Sequence, residues 1–141
     1  MLFNPSRDEA RNFLFDSWLK RREKQLLTPL EDLAGQLIEK HPEYYSVFEN
    51  PEKYRDREYL PEQGEANPFL HLMMHLTIEE QISIDQPPGI RAHFVRLTHK
   101  FESEHDAQHR IMECLSEMIW RAQRDRTQPD AEIYFDCLTK Q

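Results

Sequence analysis

Two short segments of the chain share a pattern of histidine, histidine and glutamate at intervals of four residues. These triplets are His71, His75 and Glu79, and His105, His109 and Glu113. An interval of four stacks side chains along one face of an α-helix. Imidazole and carboxylate groups bind divalent transition metals, so two such faces in one small chain predict a metal site.

The ligand types restrict the metal but not the chemistry. Four imidazoles with one or two carboxylates suit zinc or iron best, with nickel and copper as alternatives, and do not suit magnesium or calcium. Three or four histidines would form a mononuclear site, whereas bridging by Glu79 and Glu113 would hold two metals. An open coordination position would let the metal activate water, with either glutamate as base. Whether the protein is an enzyme is left open.

The spacing departs from two known metal patterns. Leu72 and Met73 follow the first histidine, so the helix lacks the glutamate that serves as general base in the HExxH motif of metalloproteases. The triplets also differ from the ExxH pair of ferritin-like di-iron bundles, in which a carboxylate and an imidazole stand three residues apart. The triplets therefore predict a metal site without indicating a reaction.

Most of the remaining histidines and both cysteines are expected to have structural or surface positions. His41 follows a predicted helix, where it caps the last carbonyls or joins the metal site as an additional ligand. His93 and His99 lie on different faces of one predicted helix, and we expect both at the surface. Cys114 is expected to be a small buried hydrophobic residue, and Cys137 to be equally plain.

Helices should supply the whole framework. The chain has only three glycines, and no run of apolar and polar residues alternates long enough to predict a strand. We therefore expect an all-α fold, a single domain over residues 1–141 with five to six helices. An N-terminal hairpin, 6–40, begins at the Ser6 capping box, and its second helix begins at Thr28. An irregular aromatic loop, 42–66, follows.

The histidines fall on two long predicted helices, 68–84 and 104–124. A helix over 90–101 connects them, and a last helix covers 130–139. The cap at Ser103 favours a reversal of the chain at that point. With a rise of about 1.5 Å per residue, this reversal brings the two histidine pairs to the same height.

Composition argues against several partners. Lys and Arg total 18 against 26 Asp and Glu, a formal net charge of -8. This charge disfavours binding to nucleic acids and to anionic membranes. No window approaches 18 consecutive apolar residues, and the first twelve residues do not resemble a secretory signal. With two cysteines only, we expect a cytoplasmic protein with reduced thiols.

Several separated motifs resemble those of a known family. They are His41-Pro42-Glu43-Tyr44, Asn67-Pro68-Phe69-Leu70-His71, Pro87-Pro88-Gly89-Ile90-Arg91, His105-Asp106-Ala107 with His109, and Met112-Glu113-Cys114-Leu115. Over nearly its whole length the chain resembles a family of short bacterial proteins catalogued as a domain of unknown function. The resemblance implies a bacterial, cytoplasmic, single-domain protein and brings no activity. A looser similarity to hemerythrin-like and DinB-like bundles rests only on histidines in helices.

Two further hypotheses compete with the metal site. One is a structural or adaptor protein without metal, which contacts a protein partner or forms a homodimer through a helix face and the loop 42–66. The other is a pH-responsive core, in which buried neutral imidazoles must become charged as the pH falls. The leading hypothesis remains a small helical protein that binds a transition metal.

Overall fold

Helices form all the regular structure in residues 6–60 and 66–141, which are the residues that this computed structural model describes. In chain order they are α1 (Arg7–Arg22), α2 (Pro29–Glu39), α3 (Tyr45–Phe48), α4 (Pro51–Tyr54), α5 (Pro68–Ile84), α6 (Ile90–Phe101), α7 (Glu104–Asp125) and α8 (Ala131–Thr139). The all-α prediction is confirmed. No helix within these residues is long and apolar enough to cross a membrane.

The predicted number of helices is too low. Five to six were expected, and the described residues contain eight. The difference arises in the segment expected to be irregular, which holds a 3-10 turn over Pro42–Tyr44 and the four-residue helices α3 and α4. The turn and α4 each have proline in their first turn, where its fixed φ is already helical and its missing N–H costs nothing.

Side-chain caps define where the long helices begin. Ser6, Thr28 and Ser103 each accept a hydrogen bond from the backbone N–H three residues on, as predicted. Thr28 forms a complete capping box, because its own N–H donates to Glu31 Oε1 at 2.9 Å. The amide oxygen of Asn67 caps α5 in the same way. These local bonds fix the starting points of the helices that carry the histidines.

The chain divides into two compact units, Met1–Leu76 and Thr77–Gln141, and the prediction of a single domain stays a prediction. In the first unit α1 packs against α2. Its core consists mainly of large apolar side chains, among them Leu14, Phe15 and Trp18 of α1. Phe15 contacts Phe48 of α3 with ring centroids 5.1 Å apart. The short helices thus help to bury the hairpin's apolar face.

In the second unit α6 packs against α7, and α7 packs against α8. Glu102 adopts a left-handed conformation at the end of α6, with φ 55°, and Ser103 caps the next helix. The predicted reversal at this point is therefore confirmed. The unit's core includes Ile90, Leu97 and Ile111, which are fully buried.

Candidate metal centre

His41, just beyond α2, is held from two sides. Its Nδ1 lies 2.7 Å from the backbone oxygen of Leu37, and its ring stacks on Tyr44 with planes 6° apart. A carbonyl oxygen only accepts hydrogen bonds, so Nδ1 of the neutral ring must carry the proton. Nε2 then presents a lone pair. His41 therefore caps α2, one of the two predicted roles, while its second nitrogen has the electronic form of a metal ligand.

Three ring nitrogens converge within the first unit. Nε2 of His71 lies 3.2 Å from Nε2 of His41 and 3.1 Å from Nε2 of His75. Nitrogen ligands at about 2.0–2.1 Å from a tetrahedral ion stand about 3.3 Å from one another. The observed separations are thus close to those of imidazoles that share one transition metal.

His71 Nε2 is thus close to two other nitrogens, one in His41 and one in His75. If all three rings are neutral, a hydrogen bond can form at only one of these two contacts. Nε2 of His71 either carries one hydrogen or presents one lone pair. If it donates to the lone pair of His41, the same hydrogen cannot also lie toward His75. If it accepts from His75 instead, two lone pairs face each other across the 3.2 Å to His41. A cation that accepts electron pairs from all three nitrogens removes the conflict.

The second unit contains the other predicted histidine pair. His105 and His109 lie one turn apart near the start of α7, with ring centroids 4.2 Å apart and planes at 64°. Both side chains are partly buried. The Ser103 cap fixes the start of the helix, and the interval of four then places both imidazoles on one face.

His41 and His75 of the first unit and His105 and His109 of the second make up a group of imidazoles that could each supply one ligand to a metal ion. His41 and His75 are buried, with 2% and 0% of their surfaces exposed. His71 is outside this group but contacts two of its members through the short distances above. All four members were predicted from the sequence, although His41 was given two alternative roles.

Glu79 is the predicted carboxylate with a buried partner. Its Oε1 accepts a hydrogen bond of 2.5 Å from Nε2 of Gln108, which is only 6% exposed. Gln108 immediately precedes His109 on α7, and the sequence interpretation overlooked it. In the sequence, Gln108 stands next to Ala107 and three residues before the apolar Ile111, which places it beside the apolar face of α7. This position could have indicated a buried amide, and a buried amide needs a hydrogen-bond partner.

The other predicted carboxylate and the two remaining histidines lie outside the group. Glu113 is exposed, and its Oε1 is 3.9 Å from Nη1 of Arg110. His99 is exposed as predicted, whereas His93 is partly buried. Burial and the nearby Arg96 lower the pKa of His93 below its ordinary value. Among the residues that the structure describes, none of these three side chains belongs to the histidine group.

The cysteines correct the sequence interpretation. Cys114 of α7 and Cys137 of α8 form a disulfide, with Cα atoms 5.5 Å apart. Cys114 is fully buried, as expected. The prediction of reduced thiols is nevertheless wrong, because the packing of α7 against α8 brings together two residues that are far apart in sequence. Neither cysteine is therefore a thiolate ligand.

Comparison with known proteins identifies a family whose description assigns no function. No curated protein and no solved structure matches the chain. One family matches residues 6–140, almost the whole length, and thereby confirms the predicted resemblance. The chain belongs to the family described as "Domain of unknown function (DUF1841)".

Proposed function

We propose that the protein binds one transition-metal ion through the imidazoles of His41, His75, His105 and His109, with His71 as a fifth nitrogen ligand or an alternative to one of them. The observation that supports this most strongly is the convergence of Nε2 atoms at 3.1 and 3.2 Å around His71. Zinc or iron fits the nitrogen-rich set best, and nickel and copper are alternatives.

The carboxylates favour one metal over two. A dinuclear site would need bridging carboxylates, but Glu113 is exposed and sits beside Arg110. Glu79 is instead positioned by the hydrogen bond from Gln108. We assign Glu79 the role of an additional metal ligand or of a hydrogen-bond acceptor near the metal. Glu113 is the less favoured candidate for either role.

A bound ion would act as a Lewis acid if one coordination position stayed open. Glu79 is then the candidate base, because it is the one predicted carboxylate with a buried hydrogen-bond donor. The bacterial, cytoplasmic setting implied by the resemblance stays a prediction, and one observation opposes its cytoplasmic part. The disulfide argues against the cytoplasm, since such bonds persist mainly in oxidising compartments.

Metal analysis of protein purified without a histidine tag tests the proposal. The protein is loaded with zinc and dialysed, and its zinc content is measured by inductively coupled plasma mass spectrometry. We expect about one zinc ion per chain. His105→Ala removes a partly buried ligand, and His99→Ala is the matched control because its side chain is exposed. The first variant should lose the ion and the second should keep it.

The contrary outcomes are equally clear. Wild-type protein that retains no zinc after dialysis, and none of iron, nickel or copper in parallel loadings, contradicts metal binding. Equal retention by His105→Ala and His99→Ala contradicts the assigned ligands. Circular dichroism of each variant shows whether a loss of metal reflects a loss of fold.

One observation favours the adaptor hypothesis as a second candidate. Trp120 and Ile119, adjacent on α7, are 54% and 36% exposed. Large exposed apolar side chains are common at contacts between proteins. A homodimer through this face would appear in light scattering, would weaken on Trp120→Ser substitution, and would be indifferent to a chelator.

A further inference from the structure

A small cavity lies beside α1 and the first turn of α5, within the first unit. Its volume is about 200 Å³. Most of its wall is apolar, and it is lined by Ala10, Phe69, Leu70, Met73, Arg7, Arg11 and Asn67. The cavity shares no residue with the histidine group, so it calls for a separate interpretation.

Arg11 is a buried cation at this cavity. Only 3% of its surface is exposed, and its Nη1 donates to the backbone oxygens of Arg55 and Arg57, each at 2.8 Å. Its guanidinium carbon also lies 4.5 Å from the ring centroid of Phe69. Both oxygens belong to neutral peptide groups, and an aromatic ring carries no net charge. These contacts satisfy Nη1, while the carboxylates of Glu58 and Asp8 attract the guanidinium only from beyond ion-pair distance.

No carboxylate among residues 6–60 and 66–141 forms an ion pair with Arg11. The carboxylate of Glu58 is bonded to the other cation, Arg7, at 2.6 Å. Burial lowers the pKa of Arg11, but a guanidinium stays charged at neutral pH. Buried charges in proteins are normally paired at close range, so a bound anion would stabilise Arg11.

We propose that this cavity binds a short aliphatic carboxylate, with its charged group on Arg11 and its chain against Phe69, Leu70 and Met73. The charge of Arg11 selects the anion, and the planar guanidinium suits a carboxylate. The apolar walls select a hydrocarbon chain over a small inorganic anion. At about 30 Å³ per water-sized group, the cavity accommodates about seven such groups. This size corresponds to a chain of about five or six carbons.

Ligand-observed nuclear magnetic resonance with hexanoate tests the proposal on the full chain. We expect saturable binding of hexanoate. The alcohol 1-hexanol has the same chain without the charge, and we expect it to bind at least about tenfold more weakly. Leu70→Trp should fill the cavity and abolish binding without unfolding the protein, because Leu70 is 59% exposed. Leu26→Trp is the matched control, since Leu26 is 97% exposed and does not line the cavity.

Arg11→Met removes the charge and keeps much of the apolar side chain, so hexanoate and 1-hexanol should then bind equally weakly. If this variant does not fold, Leu70→Trp against Leu26→Trp decides the location. No saturable binding of hexanoate by the wild-type protein overturns the proposal. It is also overturned if 1-hexanol binds the wild-type protein as tightly as hexanoate, or if Leu70→Trp binds hexanoate like the control.

Discussion

The Nε2 atoms of His41 and His71 face each other at 3.2 Å, while the opposite nitrogen of His41 donates to the Leu37 carbonyl at 2.7 Å. The carbonyl fixes which nitrogen of His41 carries the proton. In the neutral form of this ring, a lone pair consequently points at a second imidazole that is also close to a third. This relationship is the physical basis of the proposed metal site, because a metal ion accepts lone pairs where neutral rings can satisfy only one contact.

The two predicted glutamates should respond differently to neutralisation. Glu79→Gln removes the charge of a carboxylate held by Gln108, so zinc affinity should fall by about 10–100-fold. Glu113→Gln should leave the affinity unchanged, because this exposed carboxylate lies beside Arg110. Competition titration with a chromogenic chelator measures both. Equal losses in the two variants would contradict the roles assigned here.

The disulfide should stabilise the second unit substantially. Cys114 and Cys137 are separated by 23 residues, and closing a loop of that length restricts the unfolded chain by about 3 kcal/mol in the loop-entropy account. Cys114→Ser/Cys137→Ser should therefore lower the free energy of unfolding in urea by about this amount. Wild-type protein in reductant is the control and should match the variant. No difference between oxidised and reduced protein would show that the bond contributes nothing.

The Glu31 carboxylate should make the N-terminal hairpin acid-sensitive. Hydrogen bonds from Lys20 and from the Thr28 backbone hold its pKa below the ordinary value of 4.5. A carboxylate whose pKa is depressed by folding stabilises the protein above its unfolded pKa, and this stabilisation is lost as the pH falls through the folded pKa. Glu31→Gln should therefore be less stable than wild type at neutral pH and should lose less stability below about pH 4.5.

Urea unfolding between about pH 7 and pH 3 measures this difference. Glu52→Gln is the matched control, because this exposed glutamate also lies in the first turn of a helix, α4. It should follow the wild-type pH dependence. A Glu31→Gln protein that loses stability in parallel with wild type across the acid range contradicts the assigned contribution.

Local features of the fold were predictable from the sequence. The caps at Ser6, Thr28 and Ser103 join side chains to N–H groups three residues away, so the sequence contains both partners. The two histidine pairs were equally predictable, because residues four apart always lie on the same face of a helix. The short helices α3 and α4 were harder, since four residues provide little periodicity and depend on packing against the hairpin.

Contacts between distant segments were not predictable in the same way. His41 and His71 are 30 residues apart and Glu79 and Gln108 are 29 apart, and both contacts depend on tertiary packing. The disulfide is a similar case, because α8 must fold back on α7 before its cysteine can reach Cys114. Composition suggested reduced thiols, and only the geometry of the helix pair corrected that prediction.

X-ray absorption at the zinc edge of the zinc-loaded, untagged protein tests the central claim most directly. We predict an ion bound by nitrogen at about 2.0–2.1 Å, with the outer scattering of at least three imidazole rings. His75→Gln should remove one imidazole from this pattern, and His99→Gln should leave it unchanged. A spectrum dominated by oxygen ligands, or one that is identical in the two variants, would contradict a metal held by the converging histidines.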